Sequence, residues 1–438
     1  MSDTAEHDIA IIGGGMVGAS LALALLGGAP LPFASGTVTR LRQRPPHSVL
    51  LVEGVATDSR AHPSFDERTT ALGNGSRRIF QGLGVWQNIA PDASAIRAIH
   101  VSDAGRFGFA RLTAAEHGID AFGYVAPNRV IGNALWAPLT GAPGLTVCAP
   151  AHAEAFEITP EGVHFRVASE SGGTQKVKAR LLVAADGARS QVREAAGIGA
   201  SVEDYQQLAV VANVRAEPPA DGTAYERFTS SGPFAVLPLA DGSYTVIWSM
   251  QPDRAHEMLA LNEAEYLAAL QKQFGWRAGR FVQASQRFSY PLKLTRAESV
   301  VGVRTVLVGN AAQALHPVAG QGFNLGLRDA AMLAEVLAGH PDTDPGSPEL
   351  LTRFRAWRAT DRKGVTAFTD GLVKLFGSRV PGVGALRDLG LLLFDLSPQA
   401  KNALARLSIG FAGPTPRLAR GLPLSAAEAG IYEGMGHD

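Results

Sequence analysis

Three short runs of apolar, largely β-branched residues stand out along the chain: Asp8 to Ile12, Ala179 to Ala185 and Thr305 to Val308. Each ends in glycine or a small polar residue, at Gly13, Asp186-Gly187 and Gly309-Asn310. Continuous apolar runs of this length predict strands buried on both faces, as in parallel sheets. The first and third pass into helical periodicity, which gives βα units, and ligands of such sheets gather at the carboxyl ends of the strands. Between these runs the texture changes to alternation, at Ile99 to Ser102, Phe107 to Leu112, Leu208 to Arg215, Phe234 to Leu239 and Tyr244 to Trp248. The last two are joined by Ala240-Asp241-Gly242-Ser243, a hairpin signal. A mainly antiparallel sheet inserted twice into the first domain is therefore expected.

From about Leu350 helical patterns dominate, as in Leu351 to Ala367 and Leu386 to Leu396, after a loop from Pro341 to Pro348. The end, from Pro414, is rich in Gly, Pro and Ala and is expected to be loosely held. The fold class is α/β: a Rossmann-like domain in three parts (1–95, 127–200 and 288–345), an inserted sheet domain in two (96–126 and 201–287), and C-terminal helices over 346–438.

Composition supports a globular reading, since 46% of the 438 residues are apolar and 18% charged. Forty basic and forty acidic residues cancel, so no nucleic-acid partner is expected. Cys148 is the only cysteine, which excludes an intramolecular disulfide and a thiolate metal cluster and suits a reducing compartment. The residues before the first strand lack the positive region of a secretory signal, and no apolar run approaches the roughly 20 residues that span a bilayer. A cytoplasmic address follows, with room for peripheral contact at the inner face of a membrane. The histidines show no ligand spacing, and no metal is expected.

The first strand turns through Gly13-x-Gly15-x-x-Gly18 into an apolar helix, the context in which this pattern signals a dinucleotide. Gly13 permits the tight turn, Gly15 lets backbone N–H groups approach a pyrophosphate, and Gly18 allows close packing, while the helix amino end favours negative charge. Ser48 to Val52 reads as the second strand, and Glu53 at its end is placed to accept hydrogen bonds from a ribose. It lies 35 residues after Gly18, where about 20 is usual; a Gly- and Pro-rich excursion from Gly27 to Pro46 accounts for the excess. A carboxylate there disfavours a 2′-phosphate, leaving FAD or NAD.

The later strand ends distinguish the two. Asp186-Gly187-Ala-Arg-Ser190-Gln-Val-Arg193 resembles the DG motif of the single-component flavoprotein aromatic hydroxylases, the para-hydroxybenzoate hydroxylase class. Gly309-Asn310-Ala-Ala-Gln313-Ala-Leu-His316-Pro317-Val-Ala-Gly320-Gln321-Gly322-Phe-Asn324 resembles their second FAD fingerprint, although that family usually has Asp and His where this chain has Asn310 and Gln313. The resemblance makes the Rossmann-like unit an FAD-binding domain and the inserted sheet a substrate domain. It implies that Asp186, Gly187, Gly309 and Asn310 hold the cofactor. Gly320-Gln321-Gly322 supplies bare backbone leading into a helix that begins near Asn324, whose amino end would stabilise an anionic reduced ring. His316 and Pro317 would lie against the isoalloxazine, His316 as a pocket residue rather than a base.

Within that class the chain resembles the ubiquinone-biosynthesis hydroxylases nearly end to end, nearest to those that act on 2-polyprenyl-6-methoxyphenols. The segments that carry this are His62-Pro-Ser-Phe-Asp-Glu-Arg68, Gly84-Val-Trp86, His100-Val-Ser-Asp103, Gln207 to Val214, Glu226-Arg227-Phe228-Thr and Phe274-Gly-Trp276-Arg. Arg68 and Arg129 would approach the flavin or its pyrophosphate, the bland alternative for each being an exposed salt bridge. The resemblance implies that NAD(P)H reduces FAD and leaves, and that O₂ then forms a flavin C4a-hydroperoxide which hydroxylates a polyprenylated phenol. No base is identified; Arg227 and Phe234 are the substrate-side candidates. Helices after Leu372 and the Leu389 to Leu396 segment are candidate walls for a prenyl groove, and core packing explains them equally well. A ubiquinone-biosynthesis multienzyme complex is a compatible setting. Two alternatives stay open: a dehydrogenase or prenyl reductase that never uses oxygen, and a non-catalytic flavin-fold subunit.

Overall fold

A computed structural model of the chain describes residues 4–27, 47–56, 68–105, 109–170, 172–314, 321–359 and 415–424. His316, Pro317, Gly320, most of the Gly27–Pro46 excursion, the segment from His62 to Glu67 and the expected helical walls beyond Leu372 lie outside the described residues.

The chain opens with β1 (Ala5–Ile12), which turns into α1 (Met16–Leu25), and β2 (Val49–Val52) follows. Next come β3 (Thr69–Gly73), α2 (Asn74–Gly82), α3 (Trp86–Ile89) and β4 (Ser94–Ile96). A first excursion forms β5 (Ala98–Asp103) and β6 (Phe109–Thr113). The chain returns through β7 (Gly123–Pro127), α4 (Asn128–Trp136), β8 (Leu145–Cys148), β9 (Ala151–Ile158), β10 (Val163–Ser169), β11 (Thr174–Ala184) and α5 (Gln191–Ala195). The second excursion holds β12 (Ala200–Glu217), β13 (Thr223–Thr229), β14 (Gly232–Pro238), β15 (Tyr244–Met250), α6 (Pro252–Ala260), α7 (Glu263–Phe274), β16 (Arg280–Ala284) and β17 (Phe288–Ala297). The last elements are β18 (Val301–Gly302), β19 (Thr305–Leu307), β20 (Gln313–Ala314), α8 (Gln321–Ala338) and helical residues 348–359.

Strands β19, β11, β1, β2 and β8 lie side by side, all parallel, with β18 antiparallel at the β19 edge. Ile9 to Ile12 and Val49 to Val52 are buried throughout because both faces of the sheet are covered. Helix α1 is apolar all round and is sandwiched between the sheet and α8. The three apolar runs read from the sequence are thus neighbouring strands whose carboxyl ends meet.

The second sheet runs β20-β17-β12-β15-β14-β13-β5-β6, with β16 also on β12. It is antiparallel except where β13 pairs in parallel with β5, so the two excursions join in one sheet. The expected boundary after residue 287 falls before β17, which pairs with β12 from Ala200 to Val211; the chain leaves this sheet nearer Ala297. Strand β12 is also longer than the expected Leu208 to Arg215, because a bulge between Asp204 and Gln207 bends one long strand and does not end it.

Period-2 alternation divides this sheet sharply. One face carries Val210, Ala212, Phe234, Val236, Val246 and Trp248, all buried beneath α6 and α7 through Met258, Tyr266, Leu270 and Phe274. Helix α7 starts at a capping box in which Asn262 Oδ1 accepts from the Glu265 N–H and Glu265 Oε2 from the Asn262 N–H. The opposite face meets the first domain. There Ile99, Leu112, Ala224 and Leu237 pack with Ile96 of β4 and Val125 of β7. Among the described residues no helix is long and apolar enough to cross a membrane.

A buried ion pair ties the last helical segment to the first domain. Arg358 Nε donates to Asp329 Oδ1, and Asp329 Oδ2 accepts from the Gly309 N–H at 3.2 Å. Both side chains are sealed from water. Removing one partner of such a pair strands the other charge, so Arg358→Ala is expected to lower the unfolding free energy by about 3–5 kcal/mol. Denaturant titration checks this; a loss below about 1 kcal/mol would mean that Asp329 finds compensation elsewhere.

Candidate functional site

At the carboxyl edge of the parallel sheet the chain turns three times with almost no side chain in the way. Gly13 has φ +104°, and a Cβ there would sit 2.4 Å from the Ala185 carbonyl oxygen. A Cβ on Gly18 would lie 1.9 Å from the Gly13 carbonyl, and one on Gly326 would lie 2.8 Å from the Gly309 Cα. Helix α1 begins at Gly15, which offers no capping side chain, so its first-turn N–H groups stay available to an anion.

These turns enclose a cavity of about 460 Å³. Its floor is Gly13, Gly15, Met16 and Val17; one end is Glu53, Gly54, His152 and Phe156, and the other is Asn310, Gly322 and Phe323. Asp186, Gly187, Arg189 and Gln191 form the side between them. Eight of the residues expected from the sequence (Gly13, Gly15, Glu53, Asp186, Gly187, Gly309, Asn310 and Gly322) are thereby brought together.

Glu53 is buried, and its carboxylate braces the glycine turn: Oε2 accepts from the Gly14 N–H at 2.6 Å and Oε1 from the Val55 N–H at 3.0 Å. Trp136 Nε1 donates to the Gly14 carbonyl at 3.0 Å, holding the turn from the side of α4. The long spacing before Glu53 does not disturb its placement, because β2 pairs with β1 in regular register.

Asp186 is the polar group whose bonding is incomplete. Its Oδ2 accepts from the Val192 N–H at 3.2 Å, while Oδ1 is buried with no hydrogen-bond partner among the described residues. Burial pushes this carboxyl up, opposed by hydrogen bonds from Ser190 and the N–H groups of Val192 and Gln191. The following turn is fixed by Arg193, whose Nη1 donates to Ala188 O at 3.0 Å and Ala311 O at 3.1 Å. Arg193 therefore locks the Asp186 turn to the Gly309 turn, a role visible in the sequence only as its place within the motif.

Other expected residues lie elsewhere. The Asn324 amide is occupied by the opposite wall, accepting from the Gly73 N–H (2.9 Å) and Ser76 Oγ (2.6 Å) and donating to Ala71 O (2.8 Å). It joins α8 to the β3–α2 turn and is not among the cavity lining. The Arg68 guanidinium stands 4.6 Å over the Tyr290 ring of β17, at the seam between the domains. Arg129 is its neighbour across the β3–β7 pair, exposed in the first turn of α4. Phe234 and Arg227 are cross-strand partners on the sheet face that α6 and α7 cover. Phe234 is stacked on Trp248 with centroids 5.0 Å apart, in the core and away from the first domain. Strand parity explains the miss: their neighbours Ala235 and Glu226 occupy the face that meets the first domain.

Comparison with known proteins identifies the kind of ligand. A family described as FAD binding domain matches residues 6–369. Ubiquinone hydroxylase UbiL of Rhodospirillum rubrum is 37% identical over 422 residues, covering 95% of this chain and 93% of that protein. The 3-demethoxyubiquinol 3-hydroxylase of Escherichia coli is 30% identical over 407 residues, covering 92% and 98%. The crystal structure of p-nitrophenol 4-monooxygenase PnpA from Pseudomonas putida superposes with a TM-score of 0.74 at 18% identity, covering 94% of this chain and 99% of that one, a likeness of fold. The site fits FAD: side-chain-free turns make room for a pyrophosphate, and the buried Asp186 oxygen with no hydrogen-bond partner among the described residues suits a hydroxyl donor.

Gly13→Ala must open the contact with Ala185 and adopt a strained φ, at a cost of about 1–3 kcal/mol. Titration of the apoprotein with FAD is expected to show binding weakened about tenfold or more for that variant. Unchanged affinity would remove Gly13 from the binding turn.

Proposed function

The chain belongs to the FAD binding domain family, and on that premise we propose that it is an FAD-dependent monooxygenase that uses NAD(P)H and O₂ to hydroxylate the ring of a polyprenylated phenol in ubiquinone biosynthesis. The observation that carries this reading is the groove at the strand ends, lined by the Gly13, Asp186 and Gly309 turns and reaching toward the inserted sheet. Its Asn310 and Phe323 end flanks β20, which is hydrogen-bonded to β17 of the inserted sheet at Thr295 and Arg296. The sheet face turned that way is mostly apolar, suited to a prenylated ring. The substrate assignment draws on the ubiquinone-hydroxylase relatives, which extend over more than nine-tenths of this chain.

In this reading the uncapped amino end of α1, beginning at Gly15, binds the pyrophosphate that the bare Gly13 turn admits, and Glu53 takes the adenosine ribose. Asp186, Gly187, Gly309 and Asn310 hold the other half, while the backbone of Gln321 and Gly322 at the start of α8 lies beside the ring. Bound FAD supplies the chemistry that takes two electrons from NAD(P)H and activates O₂. The protein positions the phenol and keeps water from the reacting centre. Val211, Ala235 and Ile247 on the sheet face provide that dry surface. Arg68 closes the seam between the domains. A prenyl chain resides in the bilayer, so peripheral contact at the inner face of the membrane and association with other enzymes of the route belong to the same proposal.

Isotope-labelled O₂ tests it. With NAD(P)H and a prenylated phenol, the hydroxylated product is expected to carry one labelled oxygen atom. Product formed without label would favour a dehydrogenase or prenyl reductase, and a protein that takes up no flavin would favour a non-catalytic subunit.

A further inference from the structure

The face of the inserted sheet that meets the first domain carries a continuous cross-strand row: Ala110, Val101, Glu226, Ala235, Ile247 and Val211 on β6, β5, β13, β14, β15 and β12. Five of the six are apolar. Glu226 is the exception, and its Oε1 is buried without a hydrogen-bond partner among the described residues. Glu226 is half-buried, and a buried carboxylate oxygen without a partner costs about 1–3 kcal/mol, whereas the alternate position on the same strand, Phe228, is an ordinary core residue. From this placement we propose that Glu226 is the catalytic base that takes the proton from the phenol hydroxyl of the substrate, an inference that rests on the hydroxylase reading.

Two carboxylates share this face, Glu226 in the middle of the row and Asp103 at the end of β5. On its own strand Arg227 and Tyr225 project to the opposite face, as do His100 on β5 and Arg111 on β6. Strand β14 carries no titratable side chain. On β7, Tyr124 is engaged with Trp86 and Arg77. Asp103 shares the face at the end of β5, and Arg68 reaches it at Tyr290. Burial alone pushes the Glu226 carboxyl up to about 7, which is where a general base works best near neutral pH.

The step balances. The phenol O–H bond breaks, an O–H bond forms on the Glu226 carboxylate, and the single negative charge moves from the carboxylate to the phenolate. The neutral acid can then donate a hydrogen bond to the phenolate oxygen, so the dry face never holds two charges. The phenolate directs electron density to the ring carbon that receives one oxygen atom of O₂; the second leaves as water with the two electrons from NAD(P)H, and the displaced ring proton goes to solvent.

Glu226→Gln keeps the shape and removes the base. With the flavin-loaded enzyme and a short-chain prenylated methoxyphenol, ultraviolet difference spectra are expected to show bound phenolate appearing in the wild type as pH rises through about 7. In the variant the phenol is expected to bind without ionising in that range, and hydroxylation at neutral pH to fall by about 10²- to 10⁴-fold. Phenolate formation unchanged in the variant, or absent from the wild type, would overturn the proposal. Labelled oxygen in the wild-type product decides the hydroxylase reading separately.

Stability separates a catalytic from a merely structural glutamate. The folded carboxyl stays neutral up to about 7 while the unfolded one ionises near 4.5. Wild-type stability should therefore decline as pH rises between those values and level off above them. The variant should lack that decline and melt no lower than wild type at pH 8. A variant that loses flavin and melts lower would assign Glu226 a structural role and contradict the proposal.

Discussion

Everything at this site depends on how closely three strand ends can approach one another. The turn after β1, the turn after β11 and the turn after β19 meet in one place, and atoms beyond the backbone would keep them apart: a Cβ on Gly13 collides with Ala185, and one on Gly326 collides with Gly309. Packing in a protein interior has no slack for such atoms. The same scarcity of side chains leaves the first-turn N–H groups of α1, beside the cavity, without a side-chain cap. Close packing and anion binding are therefore one constraint. Arg193 and the Arg358–Asp329 pair hold it in place, the first by bridging two of the turns and the second by fixing the Gly309 amide from behind.

The second determinant is the parity of the inserted sheet. Helices α6 and α7 cover one face and bury its aromatic residues. The other face is left for the first domain, with Glu226 among aliphatic cross-strand neighbours and one of its oxygens buried without a partner among the described residues. A cofactor groove on one side and an apolar face bearing a proton acceptor on the other are what ring hydroxylation needs. Neither surface alone would specify it.

The parallel strands were legible in the sequence because burial on both faces leaves uninterrupted apolar runs, and Gly13, Gly15 and Gly18 because backbone approach demands glycine. Glu53 could be placed despite its odd spacing, since an excursion between α1 and β2 does not change strand pairing. The face of β13 could not be read. Glu226-Arg227-Phe228 stood out as a segment, yet alternation shows only that neighbours oppose one another, and both faces of this sheet carry apolar side chains. Which face is covered depends on α6 and α7, whose docking is a tertiary fact. Asn324 was misjudged for a related reason: it lies in the right turn, but its amide is satisfied by Gly73, Ser76 and Ala71 across the chain.

The central claim is that this groove is built for both halves of FAD, with the adenosine end formed by Glu53, Gly54, His152 and Phe156. Fluorescence titration of the apoprotein with FAD and with FMN tests it most directly, because FMN lacks the adenosine. The account predicts that FAD binds tighter by about 100-fold or more, as expected when a buried half of the ligand is deleted. Equal affinity for the two would contradict it.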